Sequence, residues 1–90
     1  SIADGLLPAA LGDLPFSAIR GTVKEAVTVE DDAIRAAVRY LHDEAGLTIE
    51  PSGAITTAAL LAGLVRADAP VVAVASGGNI DPDLLQRLVN

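Results

Sequence analysis

Cysteine is absent from the 90 residues. That removes disulfide frameworks, thiolate metal sites and cysteine nucleophiles together, and it fits a cytoplasmic protein. Aromatics are almost absent, Phe16 and Tyr40 being the two. The longest apolar run, Ala58 to Val65 with Gly63 inside it, falls far short of the roughly 20 residues of a membrane span. Nor does Ser1-Ile2-Ala3-Asp4-Gly5 have the basic stretch and apolar core of a secretory leader. Basic residues are few, six Lys and Arg against twelve Asp and Glu, for a net charge of −6. Neutralising nucleic-acid phosphates requires clustered Lys and Arg, so that partner class is excluded. An anionic membrane surface is disfavoured for the same reason. A soluble protein is expected.

Apolar residues are plentiful. They make up 51% of the chain, with alanine carrying much of the load, while only 20% is charged. A chain of this size buries only about 60–65% of the surface that its unfolded form exposes. A monomer of this length has little room to hide so much apolar surface. The composition therefore implies packing against protein outside these residues.

Residues 1–20 are punctuated by Gly5, Pro8, Gly12 and Pro15, which prevent a long helix or strand. Leu6, Leu7, Leu11, Leu14, Phe16 and Ile19 still supply contacts, so a packed loop region is expected, with a short helix around Phe16–Thr22. Val27-Thr28-Val29 favours a short strand within Lys24–Val29. A helix comes next, with Glu30, Asp31 and Asp32 at its positive end. Its apolar stripe is Ile34, Val38, Leu41 and Ala45, with Ala37 filling in. Asp31 with Arg35, and Arg39 with Asp43, are spaced for surface pairs, and Gly46 supplies the left-handed cap.

Leu47-Thr48-Ile49 is a brief extended bridge. Pro51 keeps Glu50 out of helical geometry, and Ser52 is placed to cap a helix over Gly53–Arg66. That helix is apolar all round, the signature of burial, and Asp68-Ala69-Pro70 ends it. Pro70 to Ala75 is apolar without alternation, as in a central parallel strand covered on both faces. The run breaks at Ser76-Gly77-Gly78-Asn79. Asp81 then caps a last helix, with Pro82 at its first position and Leu84, Leu85, Leu88 and Val89 facing inward. Loop, strand, helix, helix, strand, helix is an α/β order, in one segment without internal repeats.

Ligands of open α/β sheets collect beyond the carboxyl ends of strands. Ser76-Gly77-Gly78-Asn79 stands at such a place, offering one hydroxyl, one amide and two glycines that allow close approach. An ordinary strand-to-helix turn is the alternative. A phosphate is disfavoured there, because Asp81 and Asp83 occupy the helix start where an anion would sit. Glu50, between apolar segments, suits acid/base or hydrogen-bonding work; solvation at a loop edge, or capping of the helix start, is the alternative. His42, the only histidine, lies in a last helical turn where a cation is favoured, with no second metal ligand nearby. Glu30-Asp31-Asp32 and Asp81-Pro82-Asp83 read as helix-start acids, and Asp4-Gly5 alone as a turn. No metal site and no catalytic residue is assigned.

Five segments, in order, resemble the serine/threonine dehydratases, threonine deaminases and serine racemases. Ser1-Ile2-Ala3-Asp4-Gly5-Leu6 resembles that family's T-I-A-D-G segment, and Leu14-Pro15-Phe16-Ser17-Ala18-Ile19-Arg20 resembles the segment next to it there. Val27-Thr28-Val29-Glu30-Asp31-Asp32-Ala33-Ile34 is similar to its V-T-V-S-E-x-E-I. Glu50-Pro51-Ser52-Gly53-Ala54 and Ser76-Gly77-Gly78-Asn79-Ile80-Asp81 match its late motifs. Together they are spread over essentially the whole chain, from residue 1 to residue 81.

The resemblance implies the C-terminal part of a fold-type-II pyridoxal-phosphate enzyme, contributing to the three-layer parallel sheet of its large domain. Ser76 would hydrogen-bond the pyridine nitrogen, and Gly77, Gly78 and Asn79 would shape the wall beside the ring. Glu50 would lie near the ring edge and Asp4 on the substrate side. The family's Schiff-base lysine and Gly-rich phosphate loop belong to upstream motifs that are not in these residues, and the single lysine, Lys24, has no such context. The chain alone is therefore expected to be inactive, and to need the upstream part of the same enzyme or a complementary chain. The complete enzyme would act on a small amino acid (serine, threonine or hydroxyaspartate), by elimination or racemisation, as a homo-oligomer. The other classes are a non-catalytic remnant serving assembly or regulation and, with less to support it, a free-standing ligand-binding domain.

Overall fold

A computed structural model describes residues 2–3, 18 and 20–90. Most of the expected packed loop over residues 1–20, including Asp4, lies outside the described residues. From residue 31 onward the helical elements are α1 (Asp31–Ala45), a 3-10 turn (Pro51–Ala54), α2 (Ile55–Leu61) and α3 (Pro82–Val89).

α1 is the organising element, and the turn, α2 and α3 all pack on it. Glu30 is extended ahead of it, Asp31 and Asp32 occupy its first turn, and Gly46 closes it in the left-handed region at φ 67°. The buried residues are Ile34, Ala37, Val38 and Leu41, spaced i, i+3, i+4, i+7 as one helical face requires. Ala45, expected on that stripe, falls in the last turn beside Gly46 and is exposed. Ala3, Ile49, Ala54 and Ala58 complete the buried cluster, with Val29, Leu85 and Leu88 packed against it. Alanine at the contacts lets the backbones approach closely.

The surface pairing of α1 differs from expectation at one place. Asp31 Oδ1 accepts the Ile2 N–H at 3.2 Å, and Arg35 Nη1 instead meets Asp32 Oδ1 at 3.4 Å. Arg39 Nε lies 3.7 Å from Asp43 Oδ2, as spaced. His42 stands exposed with Nδ1 3.0 Å from Asp43 Oδ1.

The second helix is shorter than its apolar run suggests. Ser52 is not its cap; it lies within the 3-10 turn, and α2 begins at Ile55. Gly63, at φ 71°, ends it well before Asp68-Ala69-Pro70. The Leu64 N–H reaches Ala59 O at 3.0 Å and the Gly63 N–H reaches Leu60 O at 3.1 Å, the paired bonds of a Schellman motif. The helix is not wrapped in protein either. Ala58 and Ala59 are buried, whereas Leu61 and Leu64 are exposed. α3 starts as expected, with Asp81 Oδ1 accepting the Asp83 N–H at 2.7 Å and Pro82 next in the chain. Its four apolar side chains are half-buried.

Neither stretch expected as a strand, 24–29 or 70–75, is one among the described residues. Instead of lying covered, Val72 is 91% exposed and Val74 66%. A strand's N–H and C=O groups need a neighbouring ladder, and among the described residues no ladder flanks 71–75. No helix among the described residues is long and apolar enough to cross a membrane.

Ile34 and Val38 are the largest fully buried side chains among the described residues. Ile34→Ala is expected to lower stability by about 3 kcal/mol through lost transfer energy and the cavity left behind. Tyr40→Ala, exposed on the same helix, should stay within about 0.5 kcal/mol. Urea unfolding midpoints of the two variants check this.

Candidate functional site

The pieces expected to carry chemistry meet along a backbone seam. The Glu50 N–H donates to Gly77 O at 2.9 Å, and the Ser76 N–H donates to Gly53 O at 3.4 Å. Thr56 Oγ1 donates to Val74 O at 2.7 Å. At the other end, a Cβ on Gly78 would stand 3.1 Å from Thr48 O. As one segment advances from Thr48 to Thr56, its partner retreats from Gly78 to Val74, so the two run antiparallel.

Glycine is required on both sides of this seam. Gly77 has φ 80°, a region that L side chains enter only at a cost, and the Glu50 carboxylate occupies the space its Cβ would fill. At Gly53 a Cβ would coincide with the carbonyl oxygen of Ser76. The Gly53 conformation is ordinary; only the close approach demands glycine there.

The site residues end up in two groups. Glu50 and Asn79 line one cleft of about 180 Å³, together with Ile2, Ser52, Asp81 and Leu84. Ser76, Gly77 and Gly78 lie on the seam beside it and do not line it. Ser76 is exposed, and its hydroxyl has no hydrogen-bond partner among the described residues. Glu50 is half-exposed and not enclosed between apolar segments. Its carboxylate rests on Gly77, and its N–H is tied to the same residue. The cleft therefore has an acidic wall, Glu50 and Asp81, and Asp81 is already engaged as the α3 cap.

Asp4 lies outside the described residues. Its neighbours Ile2 and Ala3 are anchored, Ile2 by Asp31 and Ala3 by burial at 1% exposure, and Ile2 borders the cleft. Lys24 is exposed in an irregular stretch. A second hollow, of about 250 Å³, is apolar. It is lined by Val27, Ala59, Leu60, Val65, Val71 and Val72 among others.

Sequence reasoning gives neither Gly53 nor Thr56 a role in the site. Thr56 carries a signal, a hydroxyl within an otherwise apolar helical run, whereas the contact that makes Gly53 matter is tertiary.

A family model described as pyridoxal-phosphate dependent enzyme matches residues 1–77. An L-threonine ammonia-lyase of Thermotoga maritima is 36% identical over the whole chain, which covers 22% of that protein. A serine racemase of Arabidopsis thaliana is 38% identical over 90% of the chain, covering 26% of that protein. A catabolic L-threonine dehydratase of Staphylococcus aureus is 34% identical over 90% of the chain, covering 25% of it. The chain spans about a quarter of the length of these curated relatives. No solved structure matches it.

Gly77→Ala is expected to cost about 2 kcal/mol, from the left-handed backbone and from displacement of Glu50. Gly21→Ala, with nothing within 4 Å of its Cβ position, should be neutral or stabilising by up to about 1 kcal/mol. Denaturant midpoints of the two variants decide it.

Proposed function

This chain belongs to the pyridoxal-phosphate-dependent enzyme family, and from that premise we propose that it is the C-terminal portion of a serine/threonine ammonia-lyase or serine racemase. In this reading it builds the wall against the pyridine ring of the cofactor. Ser76 meets the ring nitrogen, Gly77, Gly78 and Asn79 form the surface beside it, Glu50 lies at the ring edge, and Asp4 lies on the substrate side. Residues 1–90 then form one segment of the large domain in the family's α/β fold, with the parallel sheet completed by residues upstream.

One observation carries the reading: an exposed hydroxyl without a partner among the described residues stands on a turn bonded to a second motif that resembles the same family. Glu50-Pro51-Ser52-Gly53 and Ser76-Gly77-Gly78-Asn79 are far apart in sequence and bonded backbone to backbone in the fold. A neutral hydroxyl suits a ring nitrogen, because it can donate to the nitrogen's lone pair without forcing protonation. The glycines leave the ring a flat approach.

The fit extends to that end of the cofactor only. Pyridoxal phosphate supplies an electron sink for bonds made and broken at the α-carbon of an amino acid. Its aldehyde and phosphate need a lysine and a cradle of N–H groups. Lys24 is the single lysine, and it lies outside the seam and the cleft. In the proposed enzyme both come from the upstream part of the same protein or from a complementary chain.

The exposed apolar surface supports such a partner. Leu61, Leu64, Val71, Val72 and Val74 are all exposed, and Val71 and Val72 border the apolar hollow. Apolar exposure beside an apolar hollow suits an interaction surface. The complete enzyme is proposed to act on serine or threonine in the cytoplasm as a homo-oligomer, without nucleic acid or membrane.

A pyridoxal-phosphate titration monitored by visible absorbance tests the reading. It is run on this chain alone and then with the upstream polypeptide carrying a Ser-x-Lys motif and a Gly-rich loop. The expected outcome is a bound-cofactor band in the combined sample only, with pyruvate from serine, 2-oxobutyrate from threonine, or D-serine. Absence of the band from both samples would sink the catalytic reading and leave a non-catalytic assembly module.

A further inference from the structure

Ser76 stands between Ala75, which packs against the core, and Gly77, whose carbonyl accepts the Glu50 N–H. Val71 to Ala75 has no flanking ladder among the described residues, and Val72 and Val74 are mostly exposed. Against that background, two contacts come from a single turn of chain at the start of α2. Thr56 Oγ1 donates to Val74 O at 2.7 Å, and Gly53 O accepts the Ser76 N–H at 3.4 Å. Gly53 also receives the Ser76 carbonyl against its bare Cα, where any side chain would collide with it. The contacts bracket residues 74–76, fixing the stretch just before the hydroxyl and at its own peptide.

We propose that Gly53 and Thr56 are positioning residues that set where the Ser76 hydroxyl stands. This rests on the reading that Ser76 meets the ring nitrogen. Neither residue touches the cofactor. Thr56 holds the Val74 carbonyl, and Gly53 gives the Ser76 peptide its seat. Replacing either lets the 74–76 stretch slide, and a hydroxyl misplaced by about 1 Å loses most of an aligned hydrogen bond.

The experiment uses the cofactor-loaded protein assembled with its upstream part. The readouts are the pH dependence of the bound-cofactor absorbance and the cofactor dissociation constant. Ser76→Ala serves as the reference. Thr56→Val removes the donor with little change of shape, Thr56→Ser restores it, and Gly53→Ala removes the seat but risks failure to fold. Thr56→Val is expected to move the pH profile in the same direction as Ser76→Ala and to weaken cofactor binding about fivefold, the worth of one ordinary hydrogen bond. Thr56→Ser should return both to the parent values. If Ser76→Ala moves the profile and Thr56→Val does not, the positioning role is overturned while the Ser76 reading stands. If Ser76→Ala itself leaves the profile unchanged, the Ser76 reading falls and the positioning role with it.

Discussion

The course of the second half of the chain depends on two missing Cβ atoms. Backbone at Ser76 lies against the bare Cα of Gly53, and the carboxylate of Glu50 lies against the bare Cα of Gly77. A methyl group on Gly53 would meet the Ser76 carbonyl oxygen itself and force the Ser76–Gly53 bond apart. One on Gly77 would displace only the end of the Glu50 side chain, and the cost there is the left-handed backbone. Loss of these contacts would free the loop that leads into α3, whose cap Asp81 comes soon after Asn79. Two close contacts thus link the 3-10 turn, the Ser-Gly-Gly-Asn turn and the last helix into one unit on α1.

Legibility in the sequence tracks the range of the forces involved. α1 was legible nearly to its ends, because its periodicity, its acidic first turn and its left-handed glycine are all local signals. The start of α3 was legible for the same reason, through Asp81 and Pro82. The far end of α2 differs from its apolar run because Gly63 overrides apolarity. Gly63 comes directly after a helix-forming run, and its Schellman bonds end the helix whatever the hydropathy beyond it. Arg35 meets Asp32 instead of Asp31, whose carboxylate accepts the Ile2 N–H, a distant contact that helical spacing does not reveal.

The candidate site divides in the same way. The motifs around Glu50 and Ser76 are visible as strings, and their junction is not. Nothing local announces that Gly53 faces Ser76, since its role is to be empty at a tertiary contact. Likewise, a strand over 70–75 is implied by an unbroken apolar run, yet the described residues provide no neighbour to form a ladder with it. Val72 and Val74 are suited to a covered position and stand exposed. The relatives that this chain matches are about four times its length.

Electrostatics adds a constraint on how a cofactor could lie here. Glu50 rests on Gly77, and Asp81 and Asp83 occupy the start of α3, on a chain of net charge −6. A phosphate placed about 6 Å from one of these carboxylates would meet a repulsion of roughly 3 kcal/mol per unit charge at an effective dielectric of 20. In the proposed reading only the ring nitrogen would approach this segment, at the Ser76 hydroxyl. The acids that make this turn unfit for a phosphate are compatible with that uncharged end of a ring. On the same reading, the lysine and the phosphate cradle would come from protein outside these residues.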